Sequence, residues 1–274
     1  MKIEAFAKVN FTLEVLGVRD DGFHALRSLV VPVSLSDTIE IEPSDTLSSD
    51  TGYPDDLCLK AARVLSPDRG ASIHVEKRIP AGGGLGGGSA DAAATLVGLN
   101  EMWGLGKSRE ELVALAAEVG SDVPALVHGG AVLMEGRGER VSPFTLGEGG
   151  FPRLHMVLCN PGVPCSTKEV YARCTSRVTE DPSILYNMRI ALASGDLKLI
   201  SAAMVNDLQK PAEDMCPEIG GALALLRKSG AVGAAMSGSG STVFGLVPDE
   251  AQGRETAAFL NLNGFAAWYV QTVP

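Results

Sequence analysis

Between residues 3 and 15 the apolar side chains fall on odd positions (Ile3, Ala5, Ala7, Val9, Phe11, Leu13, Val15), while Glu4, Lys8, Asn10, Thr12 and Glu14 fall on even ones. Side chains alternate faces along a strand, so this period of two predicts a half-buried strand with one polar face. Asp20-Asp21-Gly22 predicts a turn, and residues 29–33 and 38–42 predict further strands. Residues 44–56 are polar and loop-like, 57–65 read as a helix, and 72–79 alternate again as a strand that ends at Pro80. Farther on, Ala92, Leu96, Leu99 and Trp103 recur at helical spacing up to Gly104. Ser108 with Glu111 forms a capping box that opens a second helix ending near Gly120.

The stretch 147–152 is rich in Gly and Pro and precedes a new apolar strand at 154–158, so we expect two domains, 1–150 and 151–274. In the second, helical segments lead to strands at 231–236 and 242–247 around a Gly-Ser loop, then a helix and a last strand at 266–270. Alternation of the two periods throughout makes this an α/β chain. No repeat of fixed period is evident.

Composition narrows the function classes. No apolar run approaches the about 18 residues of a membrane span, so no membrane partner is expected. Met1 leads into Lys2-Ile3-Glu4 without an apolar leader, which predicts a cytoplasmic protein. A net charge of −10 with no basic stripe argues against nucleic acid. It leaves room for an anionic small ligand, because backbone amides create local positive potential. The cysteines at 58, 159, 165, 174 and 216 show no CxxC spacing and the histidines no HExxH pair. Neither a disulfide framework nor a zinc site is expected.

The candidate chemistry lies at Pro80-Ala81-Gly82-Gly83-Gly84-Leu85-Gly86-Gly87-Gly88-Ser89-Ala90-Asp91, with six glycines in seven positions just before a helix. Glycine allows positive φ and close approach to a ligand, and a helix start offers free N–H groups and the positive end of its dipole. Phosphate is the natural guest. A dinucleotide fingerprint is disfavoured, since the acidic residue expected about 20 positions on, after a second strand, is missing. A Walker A loop is excluded by the absence of GK[ST].

The run Pro-x-x-x-Gly-Leu-Gly-Gly-Gly-Ser-Ala resembles the phosphate loop of the GHMP kinases. Ala7-Lys8-Val9-Asn10 resembles that superfamily's first motif, and residues 236–244, Met-Ser-Gly-Ser-Gly-Ser-Thr-Val-Phe, its C-terminal glycine motif. Asp21-Gly22-Phe23-His24, the doubled triple-glycine loop and Gly120-Ser121-Asp122-Val123-Pro124 resemble one family within it, the 4-diphosphocytidyl-2-C-methyl-D-erythritol kinases. The resemblance implies a ribosomal-protein-S5-like N-terminal ATP-binding domain, a ferredoxin-like C-terminal α/β domain, and phosphorylation of a cytidine-bearing alcohol by ATP with Mg²⁺. A kinase for homoserine or a mevalonate derivative, or a non-catalytic nucleotide-binding relative, are the alternatives. The sequence does not give the oligomeric state.

By residue type alone Asp122 is either a base or a helix N-cap, and Lys8 a solvated lysine. The resemblance implies that Asp122 is the catalytic base, that Lys8 supports its charge and that Asn10 orients the substrate. It implies that residues Pro80 to Ala90 bind ATP phosphates, with Asp56 and Leu57 bordering adenine. Asp56 stands where the family often has Asn, and Phe23 where it commonly has Tyr, so stacking on cytosine is retained and a hydroxyl bond is not. His24 is expected on the base edge, Tyr171 as the opposite stacking face, Thr167 near the substrate, and Gly238 and Ser239 near its phosphates. Ser89 is the side-chain candidate for phosphate or magnesium, with a helix N-cap as its other reading.

Overall fold

The computed structural model describes residues 1–147, 150–174 and 181–273. Strands β1 (Lys2–Val18) and β2 (His24–Pro43) form a long antiparallel hairpin around the Asp20-Asp21-Gly22 turn. The chain continues through β3 (Leu47–Ser49), α1 (Leu57–Leu65), β4 (Ala71–Glu76), α2 (Gly87–Met102), α3 (Arg109–Val119), α4 (Val123–His128), β5 (Val132–Gly136) and β6 (Arg140–Pro143). Then come β7 (His155–Asn160), α5 (Thr167–Arg173), α6 (Pro182–Ser194), α7 (Leu197–Ala203), β8 (Val205–Asn206), α8 (Gln209–Met215) and α9 (Pro217–Lys228). β9 (Gly233–Met236), β10 (Val243–Val247), α10 (Glu250–Leu262) and β11 (Ala266–Gln271) complete it.

Seven strands form one sheet in the order β3-β4-β2-β1-β8, with β5 added beside the hairpin end of β2 and β6 beyond it. β7, β9, β10 and β11 form a second, wholly antiparallel sheet in the order β11-β7-β10-β9. The segments expected at 29–33 and 38–42 are one continuous strand, and the expected loop at 44–56 contains β3. The strand expected to run to residue 79 stops at Glu76. There the Asp37 carboxylate accepts the backbone N–H groups of Arg78 (2.5 Å) and Ile79 (2.8 Å), which takes them out of the ladder.

One apolar core joins the two sheets: Ala7, Val9, Phe11, Leu29 and Ile39 of the first pack with Leu158, Phe244, Leu246 and Val270 of the second. Phe11, fully buried, lies 5.7 Å from the Phe244 ring and 6.0 Å from Phe151. A second core sits between the other face of the second sheet and helices α5, α8, α9 and α10. Helix α2 approaches the first sheet closely because Gly98 has no side chain: a Cβ there would come within 2.4 Å of Ile3 and 2.7 Å of Ile41. That approach brings the N-terminus of α2 and the glycine loop to the polar face of β1.

Candidate active site

The glycine loop is held at both sides by backbone. Lys8 of β1 donates its N–H to Leu85 O (3.0 Å), and Thr242, just before β10, donates to Gly83 O (3.1 Å). Gly84 adopts φ +74°, and a Cβ there would stand 2.2 Å from Ser237 O, so only glycine lets this loop touch the β9–β10 loop. The Ser237 hydroxyl adds a bond to Gly84 O at 3.0 Å. Two glycine motifs far apart in sequence therefore form one seam. Gly86, φ +71°, is the N-cap of α2, whose first residues are Gly87 and Gly88. This corrects the N-cap reading of Ser89, which lies in the third position of the helix. No side chain caps α2, so its first N–H groups remain available to an anion.

Lys8 stands at the seam. Its side chain is almost fully buried, and its Nζ donates to Asn10 Oδ1 (2.8 Å) and lies 3.5 Å from Asp122 Oδ2. A Cβ on Gly238 would come within 3.1 Å of that Nζ, so the second glycine loop also closes on the lysine. Asp122 occupies the N-cap position of α4 yet makes no cap hydrogen bond, with Pro124 in the first turn where a missing N–H costs nothing. Its carboxylate, about one-third exposed, is free to face Lys8 and solvent.

Beyond this pair, His24 and Tyr171 face each other with ring centroids 4.9 Å apart and planes tilted by 36°. Burial, and after it the Asp122 carboxylate, push the Tyr171 phenol well above its ordinary pKa, so it stays protonated. Phe23 is half-exposed and lies under the Arg137 guanidinium at 5.4 Å. The structure thus sets Tyr171 against His24, while the sequence offered it as the stacking face opposite Phe23. The hydroxyls of Thr167 and Ser239 are 2.8 Å apart, which joins the start of α5 to the second glycine loop.

Asp56 is the N-cap of α1: its Oδ1 accepts from Cys58 N (2.8 Å) and Leu59 N (3.0 Å), and its Oδ2 from the Thr51 hydroxyl (2.5 Å). Burial works to raise its pKa, but these bonds together outweigh it and hold the carboxyl below the ordinary value. Leu57 reaches the loop, its Cδ1 3.7 Å from where a Gly88 Cβ would be.

Comparison with known proteins gives the family. The family model for the GHMP kinases N terminal domain matches residues 56–130, and that for the GHMP kinases C terminal matches residues 188–265. The 4-diphosphocytidyl-2-C-methyl-D-erythritol kinase of Symbiobacterium thermophilum is 39% identical over 285 residues, covering 100% of both chains. Its namesake from Ruegeria pomeroyi is 40% identical over 269 residues, covering 94% of this chain and 93% of its own. The chain belongs to the 4-diphosphocytidyl-2-C-methyl-D-erythritol kinase family of GHMP kinases. A crystal structure of 4-(cytidine 5'-diphospho)-2C-methyl-D-erythritol kinase superposes with a TM-score of 0.84 at 32% identity, covering 100% of both chains. The mevalonate kinase of L. major, solved with R-mevalonate, shares the fold alone, with a TM-score of 0.74 at 20% identity over 100% of this chain and 96% of its own. Membership makes the chain an ATP-dependent small-molecule kinase.

Some residues of this family member escape a reading by motif. Lys77 sits beneath the start of α2, donating to Asp37 Oδ2 (2.5 Å) and Asp91 Oδ2 (2.6 Å), and its Nζ lies 3.5 Å from the place of a Gly87 Cβ. Burial works to lower the Lys77 pKa, but its two carboxylate partners outweigh it and hold it above the ordinary value. Asp91 moves upward, to about 7, because burial first of all, with Asp37 alongside, outweighs the attraction of Lys77. One Asp91 oxygen is buried without a hydrogen-bond partner. The alternation expected over 72–79 set Lys77 inside a strand and gave no sign of what it faces, whereas β4 ends one residue before it. Arg137 lies in the β5–β6 turn, where nothing in the sequence marks it. Burial pushes the Cys58 and Cys159 thiols up to about 12, which keeps them neutral.

Proposed function

We propose that this chain transfers the γ-phosphoryl group of ATP to the 2-hydroxyl of 4-diphosphocytidyl-2-C-methyl-D-erythritol, giving the 2-phosphate and ADP in the non-mevalonate isoprenoid pathway. The observation that carries the reading is the buried Lys8 ammonium, 3.5 Å from a free Asp122 carboxylate, at the junction of two glycine loops. Phosphoryl transfer asks a protein for alignment, charge stabilisation and an acceptor for one proton. In the proposed reaction Asp122 takes the hydroxyl proton, the oxygen forms its bond to the γ-phosphorus, and the bond from that phosphorus to ADP breaks. Lys8 offsets the negative charge on the reacting oxygens.

Pro80 to Ala90, with open space at Gly82 and the free N–H groups of α2, form the proposed phosphate cradle. The Asp56 carboxylate is committed to capping α1, so an adenine contact at Asp56 and Leu57 falls to their backbone and to the Leu57 side chain. Among the described residues no group of three His, Cys, Asp or Glu stands ready for a metal. The Mg²⁺ of the proposed reaction keeps several waters and binds through substrate phosphates, so it asks for few protein ligands, with Ser89 as the proposed protein hydroxyl. When bound, the ion would neutralise charge on the phosphates. Asn10, Thr167, Gly238 and Ser239 border the proposed alcohol site, with His24, Tyr171 and Phe23 at its cytosine end.

We further propose the division into 1–150, carrying the cradle, and 151–274, carrying the second glycine loop, and a cytoplasmic location. No helix among the described residues is long and apolar enough to cross a membrane. The test is to incubate purified protein with Mg-ATP and, separately, the cytidine substrate, homoserine and mevalonate, reading phosphorylated product by mass spectrometry. Product from the cytidine substrate alone is expected. Turnover of homoserine or mevalonate in its place would overturn the substrate assignment, and nucleotide binding without any product would overturn the kinase reading.

A further inference from the structure

The polar face of β1 carries a one-way chain of hydrogen bonds whose direction is fixed by its last member. The Ser28 hydroxyl donates to Thr12 O at 2.6 Å, so its single proton is committed. Toward Asn10, 2.7 Å away, Ser28 can then only accept, which obliges the amide nitrogen to face it. The Asn10 oxygen must in turn face Lys8, whose ammonium has donors alone to offer. Reversed, the amide would put NH₂ against NH₃⁺ and a carbonyl oxygen against a spent hydroxyl.

A β-bulge creates this arrangement. Asn10 pairs with Val30, and an unbroken register would set Thr12 opposite Ser28, but the irregularity after Asn10 sets Thr12 opposite Leu29 and Leu13 opposite Ser28. A second irregularity lies between Phe6 and Lys8, so Lys8, Val9 and Asn10 form a short segment held between two breaks in the ladder. Lys8, Asn10, Thr12 and Ser28 are each no more than 3% exposed, so no bulk water replaces a lost partner. We propose that Ser28 is a positioning residue of the phosphoryl-transfer site: its hydroxyl orients the Asn10 amide and thereby holds the Lys8 ammonium beside Asp122. The inference rests on the reading of Lys8 and Asp122 as the reacting pair.

Steady-state kinetics of Ser28→Ala, Ser28→Thr, Asn10→Asp, the Ser28→Ala/Asn10→Asp double variant and Asp122→Asn test it, with folding checked by thermal unfolding. Ser28→Ala is expected to lower kcat about 10-fold or more while the KM for ATP stays within about two-fold, since the loss is one of alignment. Ser28→Thr keeps the hydroxyl and should restore most of kcat. A carboxylate has two equivalent oxygens, so in the Asn10→Asp background removal of the Ser28 hydroxyl should cost kcat less than about two-fold. A kcat for Ser28→Ala within about two-fold of the parent, or an equal loss in both backgrounds, would overturn the proposal. A folded but inactive Ser28→Thr would do the same. Asp122→Asn separates the two readings: if it keeps full activity the proton-acceptor role fails, whereas an inactive Asp122→Asn beside an unaffected Ser28→Ala sinks only the Ser28 inference.

Discussion

Asp122 and Asp91 are both carboxylates near the glycine loop, and their surroundings differ. Asp122 is partly exposed, unbound by its helix and beside one ammonium, as a proton acceptor requires. Asp122→Asn is expected to lower kcat by orders of magnitude and to leave ATP affinity, measured by titration, nearly unchanged. Asp91 is buried and its pKa, about 7, lies above that of the unfolded chain, about 4. The stability this group contributes is therefore complete below pH about 4 and is lost as pH rises toward 7. Asparagine does not ionise, so the gain in Tm from Asp91→Asn should grow across that window and level off above it. A difference in Tm that is flat with pH would count against this account. Lys8 and Asn10 were legible in the sequence as one polar face of a strand, because alternation survives any register. Lys77 and Ser28 were not, because their partners are set by a strand end and a bulge that no local periodicity records.

Helix α1 and the capping box of α3 formed where their residues predicted, since caps are local chemistry. The errors fell where distant groups decide. β4 ends early because Asp37, about 40 positions away in sequence, claims two backbone N–H groups. Strand β2 runs unbroken because neighbours on both sides take up its pairing groups. The sequence reads the glycine loop as an anion site from its residues alone, yet the reason Gly84 must be glycine lies in Ser237 of the other motif. Gly84→Ala would place a Cβ against that carbonyl in a left-handed backbone conformation, a strain of about 1–3 kcal/mol. It should raise the KM for ATP several-fold in steady-state kinetics and lower Tm in calorimetry.

The two sheets share one core, and the chain's end ties them together. Thr272 donates its N–H to Leu154 O (3.1 Å), its hydroxyl accepts from Leu154 N (2.9 Å) and donates to Pro152 O (2.8 Å), and Val273 N reaches Pro32 O (2.9 Å). Thr272→Val keeps the shape and strands the buried Leu154 N–H, so a loss of about 1–3 kcal/mol in unfolding free energy by denaturant titration is expected. The α/β class followed from periodicity, whereas a tie this long in sequence leaves no local mark. The contact between the Gly84 and Gly238 loops has a thermodynamic corollary. In the proposed reaction each loop borders a different substrate, so a ligand that shifts one would do work on the other, and ATP and the alcohol would then alter each other's affinity by one common factor.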